Sequence, residues 1–131
     1  MKSTPFSPFR WLLAGSSLIM ALGGPLHAAA FRKAAEVLAA ASLPPFYVGS
    51  FKALWLADSA TLLTLAIVFG FIAASPALAS RSVVMLLALI PAATAILIYL
   101  FVGGFFAAHL LLAAGAAAFI AGLRFPGTPT P

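Results

Sequence analysis

Three residues of this chain could carry proton or ligand chemistry from an apolar setting: His27, Asp58 and His109. Each falls inside a long hydrophobic run, where an ionisable side chain is costly and is by default a functional candidate. A carboxylate beside an imidazole orients it and favours its charged form near neutral pH. Two imidazoles from different helices could instead hold one iron axially, or share a divalent metal with the carboxylate. A plain alternative needs no shared site. Asp58 lies near a helix entry, where the N-terminal dipole favours negative charge, and each histidine finds its own partner near the headgroups. The chain has no cysteine, which excludes disulfides and cysteine-ligated clusters. It has no H-E-x-x-H, phosphate-binding loop, G-x-S-x-G or dinucleotide fingerprint. The reading therefore leans away from an enzyme and calls for no cofactor, with haem or a divalent metal on His27 and His109 as the alternative.

The elements that must position these groups follow from composition. Hydrophobic residues make up 64% of the 131 and charged residues 7%, with a mean hydropathy of +1.17. A soluble domain averages about 25% charged residues, and so small a fold cannot hide this much apolar surface in its own interior. Its solvent is lipid. A hydrocarbon core of roughly 30 Å takes about 20 residues of apolar helix. Four runs reach that length: 11–30, 54–74, 82–101 and 104–123. The fold class read from this is all-α, a single membrane domain forming an antiparallel bundle of four transmembrane helices.

The connections set the topology. Ser75, Pro76, Ser80 and Arg81 reset the chain into the third helix, and Val102, Gly103 and Gly104 form a tight break before the fourth. Residues 31–53 are the one long connector, read as a short interfacial helix followed by a loop beyond Pro44 and Pro45, or as an irregular link. The first run also has the grammar of a secretory signal, with Lys2 and Arg10 ahead of it and Ala28, Ala29 and Ala30 at its end. It is long for a signal core, so it is retained as a span.

The net charge of +5 comes from seven cations opposed by two acids. All but Lys2 lie close to the ends of apolar runs and act as anchors, with no cluster dense enough to track nucleic acid. Lys2, Arg10, Arg81 and Arg124 fall on the side of both termini, against Arg32, Lys33 and Lys52. That excess favours cytoplasmic termini in a cell (inner) membrane. Trp11, Trp55, Arg81 and Arg124 are interface anchors.

Alternating direction brings His27, Asp58 and His109 to within roughly 5–8 Å of one interface at 1.5 Å rise per residue, and Tyr99 reaches the same level. Ser16, Met20, Gly23 and His27 share one stripe of the first helix; Trp55, Asp58, Thr61 and Leu62 share one of the second. Candidate polar-cluster residues are thus His27, Asp58, His109, Thr61 and Tyr99. Gly23 and the ladder Ala114, Ala118, Gly122 are candidates for helix packing, because small residues let helices approach in lipid. Phe106, His109, Ala113 and Ala116 share another face, and Pro91 invites a kink in the third helix.

Leu26-His27 at the end of the first helix and Leu54-Trp55 at the start of the second give the chain its resemblance. The plan is similar to a loose set of small bacterial four-helix membrane proteins of no established activity, and the resemblance covers most of the chain. Small multidrug-resistance transporters are similar in length and helix number, but work as dimers around a carboxylate in the first helix. Here the only intramembrane acid is Asp58, in the second, which counts against their mechanism. Four-helix quinone-linked redox proteins rely on a cysteine pair that this chain lacks. The expectation carried forward is a membrane protein acting by helix association, as a homo-oligomer or as a subunit of a larger membrane complex, with lipid as its surroundings. The alternative is a ligand-binding or proton-coupled transporter or enzyme using the His27, Asp58 and His109 cluster at one leaflet.

Overall fold

A computed structural model describes residues 7–125. These form four α-helices, α1 (Pro8–Ala40), α2 (Pro45–Ala74), α3 (Arg81–Phe101) and α4 (Phe106–Leu123), with a single 3-10 turn at Pro76–Leu78 before α3. No strand occurs among the described residues. Each of the four helices is long and apolar enough to cross a membrane. Outward-facing positions are apolar as well, Leu22, Ile67, Leu86 and Leu97 among them. That is the pattern of helices whose surroundings are as oily as their core.

The ends of the helices follow local chemistry. Pro8 and Pro45 occupy the first turns of α1 and α2, where a missing N–H costs nothing. Ser80 caps α3 by accepting from the Val83 amide at 3.4 Å. Gly103, at φ +89°, takes the left-handed conformation that ends α3. α3 runs unbroken through Pro91, whose ring is fully buried.

The first two helices differ from expectation. Residues 31–53 do not form a separate interfacial helix and loop: residues 31–40 continue α1, residues 45–53 begin α2, and only 41–44 break the path. The sequence from Phe31 to Ala40 is rich in Ala, Leu, Lys, Arg and Glu, the strong helix formers, and Arg32 meets Glu36 one turn on at 3.7 Å. α1 therefore spans 33 residues and α2 spans 30. At 1.5 Å per residue these are about 50 and 45 Å long, against about 32 and 27 Å for α3 and α4. Pro25 sits inside α1, so the Gly23-Gly24-Pro25 stretch is an interior segment of that helix and not its exit.

The helices pack in the order α2, α1, α4, α3, each closely against the next; among the described residues α2 and α3 do not approach one another to a comparable degree. α1 holds two neighbours because consecutive serines point to different sides. The Ser16 hydroxyl donates to the Ala114 carbonyl of α4 at 2.8 Å, and Ser17 to the Ala66 carbonyl of α2 at 2.7 Å. Small residues set the remaining distances. Ala114 and Ala118 are fully buried, and Gly122 abuts Met85 of α3. Gly115 lies against the Ala88 and Ala92 backbone of α3. The α1 glycine that meets α2 is Gly24, facing Leu63 and the Ser59 carbonyl; Gly23 faces open space, one helical step of about 100° away. Between these seams lies a core that includes Leu13, Met20, Phe69 and Val84.

Candidate functional site

The polar side chains sort into three places, the first being the pairing of α1 with α2. α2 turns Trp55, Ser59, Leu62, Ala66, Phe69 and Ala73 inward, a run of three- and four-residue steps that makes one helical face. Trp55 and Ser59 thereby meet His27. The imidazole stacks on the indole with centroids 4.5 Å apart and planes 12° from parallel. The indole N–H donates to the His27 carbonyl at 2.8 Å. His27 Nδ1 lies 2.9 Å from the Ser59 hydroxyl, which is also 3.2 Å from the Trp55 carbonyl one turn back. Asp58, at the edge of the same face, brings Oδ2 to 3.7 Å from His27 Nε2, a charged pair when the imidazole is protonated.

The second place is the α3–α4 pair, where the Tyr99 hydroxyl and His109 Nδ1 are hydrogen bonded. Their rings tilt at 47° with centroids 5.4 Å apart. His109 and its face-mates Phe106, Ala113 and Ala116 are exposed on the outside of α4. His27 thus contacts α2 and His109 contacts α3, and none of these contacts joins the two sets. Among the described residues, no group of three or more His, Cys, Asp or Glu is placed to hold a metal.

The third place is the opposite end of the molecule. Arg10 donates from Nε to the Ala73 carbonyl at 2.6 Å and from Nη2 to the Ala74 carbonyl at 2.8 Å. A guanidinium there satisfies carbonyls that the end of α2 leaves open and complements the negative end of its dipole. Phe9 and Phe125 meet nearby with centroids 5.1 Å apart and ring planes tilted at 59°.

Several sequence expectations are revised by this arrangement. Thr61 is exposed and returns its hydroxyl to the Ala57 carbonyl of its own helix at 2.8 Å, so it takes no part in the cluster. Thr64 and Thr94 do the same, the usual way for a hydroxyl in lipid to satisfy itself. Ser16 and Met20 are buried against α4 and core, so they do not share the α2-facing side of His27. Trp55 is half-buried by its stacking on His27, while Trp11, Arg81 and Arg124 are exposed. Lys2 lies outside the described residues. Ser59, which holds His27, escaped the sequence reading because a neutral hydroxyl is unremarkable in a helix; its place one turn after Trp55 was the available signal.

A Ser-His-Asp set invites comparison with nucleophilic catalysis. Ser59 is only 4% exposed, and its hydroxyl is taken up by the Trp55 carbonyl of its own helix and by His27 Nδ1. The arrangement can bind and pass a proton, and it can hold α1 to α2.

The chain matches no protein family, no curated protein and no solved structure.

Proposed function

We propose that this chain is a multi-pass protein of a cell (inner) membrane, with cytoplasmic termini, that acts by lateral helix association and not as an enzyme. It works either as a homo-oligomer or as a small subunit of a larger membrane assembly, its four spans forming an antiparallel bundle. The supporting observation is an open apolar groove of about 480 Å³ between α1 and α2. Ser17 and Ala21 of α1 and Ala66, Gly70 and Ala74 of α2 line it. The three α2 residues repeat every fourth position, the small-residue spacing on which membrane helices dock. Ile67 and Phe71 flank the groove and are 59% and 63% exposed, so a helix seated there has apolar walls to grip.

Cysteine cross-linking tests this cleanly, because the chain has no cysteine of its own. Phe71→Cys in native membranes is expected to form a disulfide-linked dimer, or an adduct with a cysteine-bearing partner. Leu86→Cys, on the outer face of α3, is expected to form neither. A protein that remains monomeric and free of partners in mild detergent, with Phe71→Cys no more reactive than Leu86→Cys, overturns the reading.

A further inference from the structure

We propose that the occupant of the α1–α2 groove is a second copy of this chain, and that the two copies pair along the whole length of α2, from within the membrane out to the hairpin tip. This rests on the lateral-association reading above and names its partner. α2 carries a repeat that its own fold does not use. Phe46, Ala53, Ala60, Ile67 and Ala74 recur every seventh residue, and Gly49, Leu56, Leu63 and Gly70 fall between them at alternating steps of four and three. That alternation sets them on one stripe of the helix, like the seam of a coiled coil. All are exposed except Gly70, which is half-buried. Lys52 and Asp58, the charged residues of α2, both lie off the stripe. α1 is bonded instead to the neighbouring face, through Trp55, Ser59 and Ala66. The membrane-embedded end of the stripe, from Leu63 to Ala74, forms the α2 wall of the groove.

Inside hydrocarbon an apolar stripe needs no partner, because lipid tails suit it as well as another helix does. The other end of this one is outside hydrocarbon. Ser17 ties α1 to α2 at Ala66, and Ser16 ties it to α4 at Ala114, which sets a common level for the three helices. From there α4 rises eight residues to Phe106 and α2 rises twenty-one to Pro45, about 12 and 31 Å at 1.5 Å per residue. α2 therefore stands about 20 Å past the start of α4. Headgroups add only about 5–7 Å to each side of the hydrocarbon. Phe46, which is 76% exposed, and Gly49 continue the apolar stripe beyond the reach of lipid tails.

Whatever covers the stripe must match it in height, so it must be a helix about 45 Å long that leaves the membrane on the same side. A second copy turned about an axis along the membrane normal supplies one by construction, with its α2 parallel and at the same level. The stripe is also suited to its own twin. It carries no charge to repel a copy, and its glycines let two backbones approach closely. Ile67 and Phe71 form a ridge at the level of the hollow at Gly70, as a twofold axis in that direction requires. Gly49 has no local reason to be glycine: a Cβ there would meet nothing within 4 Å in its own chain, and glycine inside a helix costs stability against alanine.

Single cysteines in the projecting part of α2 read this pairing directly, since the chain has none of its own. In the full chain, purified into phosphatidylcholine vesicles and oxidised with copper phenanthroline, Phe46→Cys and Ala53→Cys are expected to give disulfide dimers of twice the chain mass. Tyr47→Cys and Leu54→Cys, each turned off the stripe by about 100°, are expected to give about tenfold less dimer. All four positions are exposed, so none of these cysteines disturbs the core. Adding Gly49→Leu to Ala53→Cys is expected to abolish the link while helix content and thermal unfolding of the monomer in detergent stay unchanged. No dimer at positions 46 and 53, equal dimer at 53 and 54, or a link that survives Gly49→Leu overturns the proposal. The lateral-association reading is tested separately at Phe71. A partner captured there in native membranes, with no link at Ala53, leaves that reading standing and removes the pairing of copies along α2; silence at both positions removes both.

Discussion

Ser16 and Ser17 are adjacent in sequence and bond to different helices, Ser16 to the Ala114 carbonyl of α4 and Ser17 to the Ala66 carbonyl of α2. Consecutive positions on a helix differ by about 100°, so a pair of small donors can serve two neighbours without widening α1. Each bond across a membrane seam is worth about 0.6 kcal/mol on average. Ser16→Ala and Ser17→Ala are each expected to lower unfolding stability in bicelles by about that amount, and the double variant by the sum. Ser16→Leu should cost several times more, because the Ser16 side chain is fully buried. Steric-trap measurements would check all four values.

Gly115 and Gly23 should respond in opposite ways to the same methyl group. An added Cβ at Gly115 comes within 3.0 Å of the Ala92 nitrogen and 3.1 Å of the Ala88 carbonyl oxygen, both backbone atoms that cannot rotate away. Gly115→Ala is expected to destabilise by about 1–3 kcal/mol, as overpacking does. At Gly23 nothing lies within 4 Å, so Gly23→Ala gains helix propensity, about 0.5–1 kcal/mol at most. Thermal unfolding in one detergent compares them directly.

Arg10 serves α2 with two donors whose spacing a single ammonium cannot reproduce. Arg10→Lys keeps the charge but loses the fork, and Arg10→Ala loses both. Unfolding stability should fall in the order Arg, Lys, Ala, with the full loss about 1 kcal/mol. An equal loss for Lys and Ala would mean that charge at this helix end contributes nothing.

The continuity of α1 through residues 31–40 can be scanned with nitroxide labels. Oxygen accessibility is expected to oscillate with a period of 3.6 residues from residue 28 to residue 40, lapse at 41–44 and resume from 45. An oscillation that stops near residue 30 would restore a separate interfacial connector.

Hydropathy located all four helices, because in lipid the apolar run and the helix are nearly the same object; the third was placed at 82–101 and lies at Arg81–Phe101. It failed at residues 31–53 because Arg32, Lys33 and Lys52 lower hydropathy without interrupting helix, and length was equated with bilayer thickness. His27, Asp58 and His109 stood out as ionisable groups in apolar runs. Their division between two helix pairs did not, since depth along a helix fixes level but not which neighbour each face meets. Thr61 was grouped with Asp58 by its three-residue spacing, yet the inward face of α2 runs through Ser59 and Leu62 instead.

The packing order joins α1 to α4, the first of the described helices to the last. α1 with α2 and α3 with α4 are each local hairpins that can form as soon as both members are inserted, but the seam between them must wait for α4. Until α4 emerges, Ser16 has no Ala114 carbonyl to meet, and the chain is one finished hairpin followed by a lone helix. The linkage through residues 75–80 then acts as a tether between two halves, and fragments divided there should find each other when made as separate polypeptides.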